Sequence, residues 1–426
     1  MGGTAGRGVL LRFSAAALLF WASLYVYIPI LAPYAQVLGA SLSLIGLILA
    51  AYGFTQFALR IPLGVWADRR GRLRPFIQGG FLLSLTSGLG LALATGAGAL
   101  LVFRGVAGAA AASWVAFTVL FAAYFPASDA SRAMGIAVGV SGLAQIVSTA
   151  VGGVLAEKWG WVAPFYAGVL LAGAGAVVAA GLPEVSQRRS GALSLREALA
   201  PLARRGLLLA SGLAAVGMFS TYVTVYGFTP IYAVGLGASK ADLGILTTAS
   251  ILTYTAASFL AGGVLTRTVG NRVLVTAGLA VAALATAAIP AITDFTLLVL
   301  SQAVGGVGRG AVFPVLMALS LQDAGAGERA TAMGAFQALY AIGMTGGPAL
   351  AGLLADAFGL GGAFVATGLL TGAGAGLAWW GIGSGRLTRR RFRFYLCQDY
   401  VFLVEYSRVL ALAVARADDL ATMGEF

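Results

Sequence analysis

The sequence predicts an all-α membrane protein whose twelve transmembrane helices form two pseudo-symmetric six-helix bundles. Three observations carry this. Apolar residues make up 59% of the 426 positions and charged residues only 10%, whereas soluble domains carry about 25% charged residues. Apolar stretches recur at the length that crosses a bilayer core, about 20 helical residues. Glycine-rich turns of the first half return in the second at a nearly constant distance along the chain.

The spans fall at 10–34, 42–63, 75–95, 99–123, 133–156 and 162–182, then at 207–233, 242–265, 273–292, 295–319, 332–355 and 362–383. The first follows Arg7 and Arg12 and shows no cleavage site, so it reads as a membrane helix rather than a removed signal. The second and third flank Gly64-Val-Trp-Ala-Asp68-Arg69-Arg70-Gly71-Arg72-Leu-Arg74. With Arg60, five arginines lie in or beside this turn, which makes it cytoplasmic by the positive-inside bias. Every other connection then alternates. The cytoplasmic ones hold Arg132, Arg188, Arg189, Arg196, Arg204, Arg205, Arg267, Arg272 and Arg329, the outer ones only Lys158 and Lys240. The domains expected are a first bundle over 1–182, a cytoplasmic linker over 183–206, a second bundle over 207–383 and a tail over 384–426. Both termini are expected in the cytoplasm of a cell with the chain in its inner membrane.

Internal repetition supports the two halves. The turn at Gly263 to Arg272 lies 199 residues after that at Gly64, and Ala332-Met333-Gly334 repeats Ala133-Met134-Gly135 at the same offset. Gly153, Glu157 and Gly160 return as Gly352, Asp356 and Gly359, and Gly39-Ala40-Ser41 as Gly237-Ala238-Ser239.

Composition also excludes. The net charge of +12 lies between spans, where it faces anionic lipid, so no nucleic-acid partner is expected. One cysteine, Cys397, and no histidine leave no disulfide framework, metal site or cofactor site, and no catalytic cluster for an enzyme. None of the fifteen acidic residues falls in the middle of a span, so none offers a titrating carboxylate at the membrane centre. The partners expected are the lipid bilayer and a small-molecule substrate, with the chain a monomer.

The pattern Gly64-x-x-x-Asp68-Arg69-x-Gly71-Arg72 resembles the signature between the second and third helices of the major facilitator superfamily of transporters. The resemblance implies alternating access, with the hairpin as a gate. Asp68 would meet the start of helix 11, while Arg69 and Arg72 would pair locally. Arg104, followed by Gly105 and Gly108, resembles the family's fourth-helix pattern, which is linked to coupling or substrate organisation. Snorkelling to headgroups is its other reading. Arg309 lies deep in helix 10 within Gly305-Gly-Val-Gly308-Arg309-Gly310 and leads the binding candidates, either for an anionic or strongly hydrogen-bonding substrate or as a structural contact. Its glycines would leave room for a solute. The resemblance makes helices 1, 4, 7 and 10 line the cavity, which adds Tyr25, Trp114, Tyr222 and Tyr226. Gln337 joins them from helix 11, and Trp21, Tyr27, Gln56, Gln145, Tyr254 and Tyr340 are further polar or aromatic groups within spans. The Gly-Pro pair common in helix 5 of exporters is missing from Ser148-Thr-Ala-Val-Gly152-Gly153, which favours uptake. A drug or metabolite exporter is the alternative.

The tail reads Arg391-Phe-Arg-Phe394-Tyr395-Leu396-Cys397-Gln398-Asp399-Tyr400 and resembles the start of the thiaminase II family. The resemblance maps Asp399 onto a pyrimidine contact and places the catalytic cysteine beyond Phe426, so Cys397 is not that nucleophile. By association it suggests a thiamine-related pyrimidine as the solute. The other reading is a basic amphipathic tail lying on anionic lipid.

Overall fold

The computed structural model describes residues 6–125, 130–185, 204–322, 324 and 329–382, without the side chains of 61, 65, 68, 69, 130–132, 263, 264, 267 and 329–331. Most of the linker and the whole tail lie outside the described residues. So do the side chains of Asp68 and Arg69.

Eleven apolar helical stretches long enough to cross a membrane occur among the described residues, the last running from Ala332 to Gly381. That last one is two helices, because Gly359 at φ 70°, ψ 168° breaks it. The twelve spans are α1 Arg7–Val37, α2 Leu42–Arg70, α3 Arg74–Ala92, α4 Ala97–Ala123, α5 Ala130–Trp159 and α6 Ala163–Ala180, then α7 Arg205–Gly235, α8 Lys240–Leu260, α9 Asn271–Ala291, α10 Phe295–Ser320, α11 329–358 and α12 360–381. A π-helical turn, Ala261–Leu265, and Thr266–Val269 extend α8.

Among the described residues, the six glycines with positive φ are the repeated ones: Gly39 with Gly237, Gly71 with Gly270, and Gly160 with Gly359. The separations are 237 − 39 = 198, 270 − 71 = 199 and 359 − 160 = 199. A left-handed backbone is accessible at little cost only to glycine, so the repeat in sequence is a repeat of the turns that end helices. Packing repeats as well. In the first half α1 packs on α5 and α6, and α4 on α2 and α3; in the second, α7 packs on α11 and α12, and α10 on α8 and α9.

The halves meet along α2 with α11 and α5 with α8. One end of these seams carries Arg70, Arg72, Arg74, Arg204, Arg205 and Arg272 and is called the basic end; the other is the far end. At the far end the backbones touch. A Cβ on Gly153 would meet the Gly244 Cα at 2.7 Å, and one on Gly46 the Pro348 carbonyl oxygen at 2.3 Å. Toward the basic end the α5–α8 seam loosens. A Cβ on Gly142 would find Thr255 at 3.3 Å, one on Gly139 the tip of Phe259 at 3.7 Å, and one on Gly135 no described atom within 4 Å. The halves therefore part along this seam toward the basic end, while Arg60 still bridges α2 to α11 there.

The far end is also pinned. Asp356, at the end of α11, accepts from the Leu42 and Ser43 amides at 3.0 and 2.9 Å. Glu157, at the end of α5, accepts from the Lys240 amide at 2.9 Å. Each half thus caps the second helix of the other, where free amides and the helix dipole favour a carboxylate. The repeated Glu157/Asp356 and Ser41/Ser239 positions are the parts of this reciprocal contact.

Candidate functional site

Two tyrosines mark the centre of the bundle. Pro29 has no N–H to give to the carbonyl of Tyr25, and Pro230 none to that of Tyr226, because each lies four residues on. The helices yield there. α1 is interrupted at Val26–Tyr27, and α7 becomes π-helical over Thr224–Phe228. The kinked first helices of the two halves bring Tyr25 and Tyr226 edge to face at 5.7 Å. Tyr226 continues to Tyr222 at 5.1 Å and Tyr222 to Tyr52 at 6.4 Å.

Three arginines border this tyrosine cluster. Gly108 lets α4 approach the backbone of Tyr52, since a Cβ there would meet the Tyr52 carbonyl oxygen at 2.3 Å, and the Thr55 hydroxyl donates to the Gly105 carbonyl at 2.9 Å. One turn away Arg104 lies 4.0 Å above the Tyr52 ring, only 2% exposed. Of its two readings, snorkelling is therefore overturned: the guanidinium points inward. The seam of α10 with α8 repeats the arrangement. A Cβ on Gly310 would meet the Tyr254 carbonyl at 2.1 Å, and the Ser258 hydroxyl donates to the Gly310 carbonyl at 3.0 Å. Arg309 is 3% exposed, donates from Nη2 to the Ser250 hydroxyl at 3.0 Å and lies in electrostatic reach of Tyr226 and Tyr254.

The glycines around Arg309 serve mostly another purpose than making room for a solute. Gly306 and Gly308 press on the backbones of Ser250 and Gly278, and only Gly305 faces the guanidinium. Arg60 corrects the sequence reading too. Grouped there with the cytoplasmic turn, it lies within α2, donating from Nη1 to Gln337 at 3.1 Å and Tyr340 at 3.0 Å and from Nη2 to Gln56 at 2.6 Å. This bridge joins the halves on the basic side of the tyrosines. An arginine at a helix centre costs about 2.5–3.5 kcal/mol on insertion scales, so three in one neighbourhood need compensation. Some buried polar atoms remain unpaired: Nη1 of Arg309, Nε and Nη1 of Arg104, and Nε of Arg60.

Of the candidates from sequence, Tyr25, Tyr222 and Tyr226 come together directly, Arg104 joins them through the Tyr52 ring, and Arg309 lies within electrostatic reach of Tyr226. Gln337 joins through Arg60. Trp114 is one step removed, 5.1 Å from Trp21, which lies 5.7 Å from Tyr25. Tyr52 and Ser250 were missed. The repeated Tyr-x-x-x-Pro at Tyr25–Pro29 and Tyr226–Pro230 was the signal that singles out the central pair. In the hairpin, Gly71 has φ 62° and closes α2 by donating to the Ala67 carbonyl at 3.0 Å. A Cβ on Gly64 would find Val115 at 3.9 Å, and Arg72 is exposed.

Comparison with known proteins fits this geometry. The profile of the TENA/THI-4/PQQC family matches residues 380–426. There the chain is 59% identical over 46 residues to the aminopyrimidine aminohydrolase of Helicobacter pylori, 11% of this chain and 21% of that enzyme. It is 30% identical over 154 residues to the inner membrane transport protein YajR of Escherichia coli (36% of this chain, 33% of YajR). It is also 30% identical over 121 residues to the multidrug resistance protein Stp of Mycobacterium tuberculosis (28% of this chain, 22% of Stp). The chain thus matches between a fifth and a third of the length of these relatives. Among solved structures, an inward-facing, unoccupied bacterial homolog of the human lysosomal transporter Spinster superposes with a TM-score of 0.74 at 18% identity, over 87% of this chain and 96% of that one. The profile of the Major Facilitator Superfamily matches residues 13–239 and 213–393, and the chain belongs to that superfamily as a multi-pass membrane protein.

Proposed function

We propose that this chain is a secondary transporter, not an enzyme, that moves a small flat organic solute through the tyrosine–arginine centre by alternating access. The observation that carries it is the Tyr25–Tyr226 contact. It joins equivalent interruptions of the two halves, between a far end that is closed and a basic end where the α5–α8 seam parts. Aromatic faces suit a flat solute, and guanidinium donors suit one that accepts hydrogen bonds. The positive-inside bias puts the basic end and both termini in the cytoplasm of the inner membrane, so the conformation is inward-facing. Uptake is the direction proposed, from the missing exporter pattern in α5. The gate at this end is the hairpin of Gly64, Asp68, Arg69, Gly71 and Arg72.

The tail narrows the solute to a thiamine-related pyrimidine, supported by the match to an aminopyrimidine aminohydrolase. Export of drugs or metabolites is the second reading, favoured by the likeness to Stp. Counterflow in proteoliposomes with labelled hydroxymethylpyrimidine tests both. Saturable uptake that falls at least tenfold in Tyr226→Ala supports the pyrimidine. Flux of drug-like cations without pyrimidine flux would replace it with the exporter reading, and no flux of either would remove both solute readings.

A further inference from the structure

Every described carboxylate is already engaged at the start of a helix. Glu157 accepts from the amide of Lys240, Glu184 from those of Leu73 and Arg74, Asp242 from Ser239, Asp294 from Leu297, and Asp356 from Leu42 and Ser43. All five lie at the ends of spans, away from the centre. Arg60, Arg104 and Arg309 are therefore left with neutral partners: amides, hydroxyls and ring faces. A guanidinium that loses its hydration without gaining a counter-charge is one of the costliest groups a protein can bury. The missing negative charge is the clue to the ligand.

The three are not equally free to receive it. Arg60 spends both terminal nitrogens on Gln56, Gln337 and Tyr340. One face of Arg104 is covered by the Tyr52 ring at 4.0 Å. Arg309 uses Nη2 on Ser250, while its buried Nη1 has no partner. Next to that nitrogen is Gly305, where a Cβ would come within 3.0 Å of it. Glycine spares the guanidinium a side chain from its own helix there, and Ala285 of α9 packs on the same spot at 3.3 Å.

We propose that the centre binds a flat organic anion, an aromatic ring carrying a carboxylate or phosphate. An anionic oxygen accepts from Nη1 of Arg309 and the ring lies against the Tyr25–Tyr226 pair. A charge-assisted bond in a dry site is roughly twice as strong as a neutral one, so the site distinguishes an anion from its uncharged counterpart. This deepens the transport reading and rests on the same centre, but binding can be read without flux.

The test uses the full chain in lipid nanodiscs, with quenching of tryptophan fluorescence as readout, because Trp21 adjoins Tyr25 and Trp114 adjoins Trp21. Two matched pairs serve as probes: benzoate with benzyl alcohol, and the phosphate monoester of hydroxymethylpyrimidine with hydroxymethylpyrimidine itself. The anion of at least one pair is expected to bind ten times more tightly or better, and which pair tells carboxylate from phosphate. Arg309→Gln should abolish the difference between charged and neutral members, and Arg309→Lys should retain part of it. Equal binding of charged and neutral members in both pairs, binding of neither, or an intact preference in Arg309→Gln would overturn the proposal. The wild-type comparison stands even where a variant does not fold. A charge preference without saturable flux in liposomes keeps the anion site and removes the transport reading; flux without the preference does the reverse.

Discussion

The two ends of the molecule use the same device, a carboxylate at the start of a helix, for opposite purposes. At the far end Glu157 and Asp356 reach across the seam, each to the other half. At the basic end Glu184 accepts from Leu73 and Arg74 at 2.8 and 3.1 Å, within the first half. Its neighbours stay within that half as well. Arg12 donates to the Gly181 carbonyl at 2.7 Å, Arg74 to that of Ala180, and the Tyr124 hydroxyl to that of Pro183 at 2.7 Å. Bonds within a half make it a rigid body; bonds between halves hold one conformation. The difference teaches where the chain can part without unfolding: contacts at the far end must break for a carrier to turn over, whereas those around Glu184 need not.

The sharpest way to break this contrast is to weld the far end. The Thr149 and Thr248 hydroxyls are 2.9 Å apart across the α5–α8 seam. Thr149→Cys with Thr248→Cys, in a Cys397→Ser background, should cross-link on oxidation and lose about 90% of flux, restored by reductant. Undiminished flux from a cross-linked protein would show that this seam need not open. Bulk comes next. The Cβ of Gly153→Leu would meet backbone at 2.7 Å, whereas that of Gly135→Leu would find no described atom within 4 Å. The first should cut flux tenfold or more, and the second should stay within twofold.

Removing one carboxylate should act more gently. A charge at a helix start contributes up to about 1 kcal/mol, so Asp356→Asn or Glu157→Gln should shift the equilibrium between conformations about fivefold. The two should add, as sites without shared partners do. The rate at which a thiol reagent modifies Thr149→Cys reads this directly. Glu184→Gln should lower the melting temperature and leave that rate alone; a change in rate would dissolve the distinction between the two ends.

The smallest effect is one of pH. Burial, more than the charge of Glu184, pushes the Tyr124 phenol up to about 12, with Arg74 acting the other way. In the unfolded chain it ionises near 10. The folded state therefore holds the proton more tightly between these values, and the stabilisation, complete below pH 10, is lost as pH rises toward 12. Tyr124→Phe should flatten the fall in melting temperature between about pH 10 and 12.

Much of the fold was legible because turns and spans are local. The glycine pairs at 198 and 199 residues are visible as text, and each is a positive φ in the structure. Arg104 and Arg309 stand out as charges within apolar helices. Arg60 did not, because it lies close to a run of loop arginines and only the partners Gln56, Gln337 and Tyr340 show its inward role. Tyr52 and Ser250 were invisible for a like reason. Each is an ordinary residue in its own helix, made notable by an arginine brought by another.

By itself the sequence determined that the chain spans a membrane, where the helices lie to within several residues and that the second half repeats the first. These follow from hydropathy, glycine and proline, whose effects act within a turn or two of the residue. Tertiary structure alone decided which carboxylate caps which helix, which arginine keeps an unpaired nitrogen, and which end of the seam is closed. Those depend on distances between helices far apart in the chain, and there a shift of one ångström separates a hydrogen bond from none.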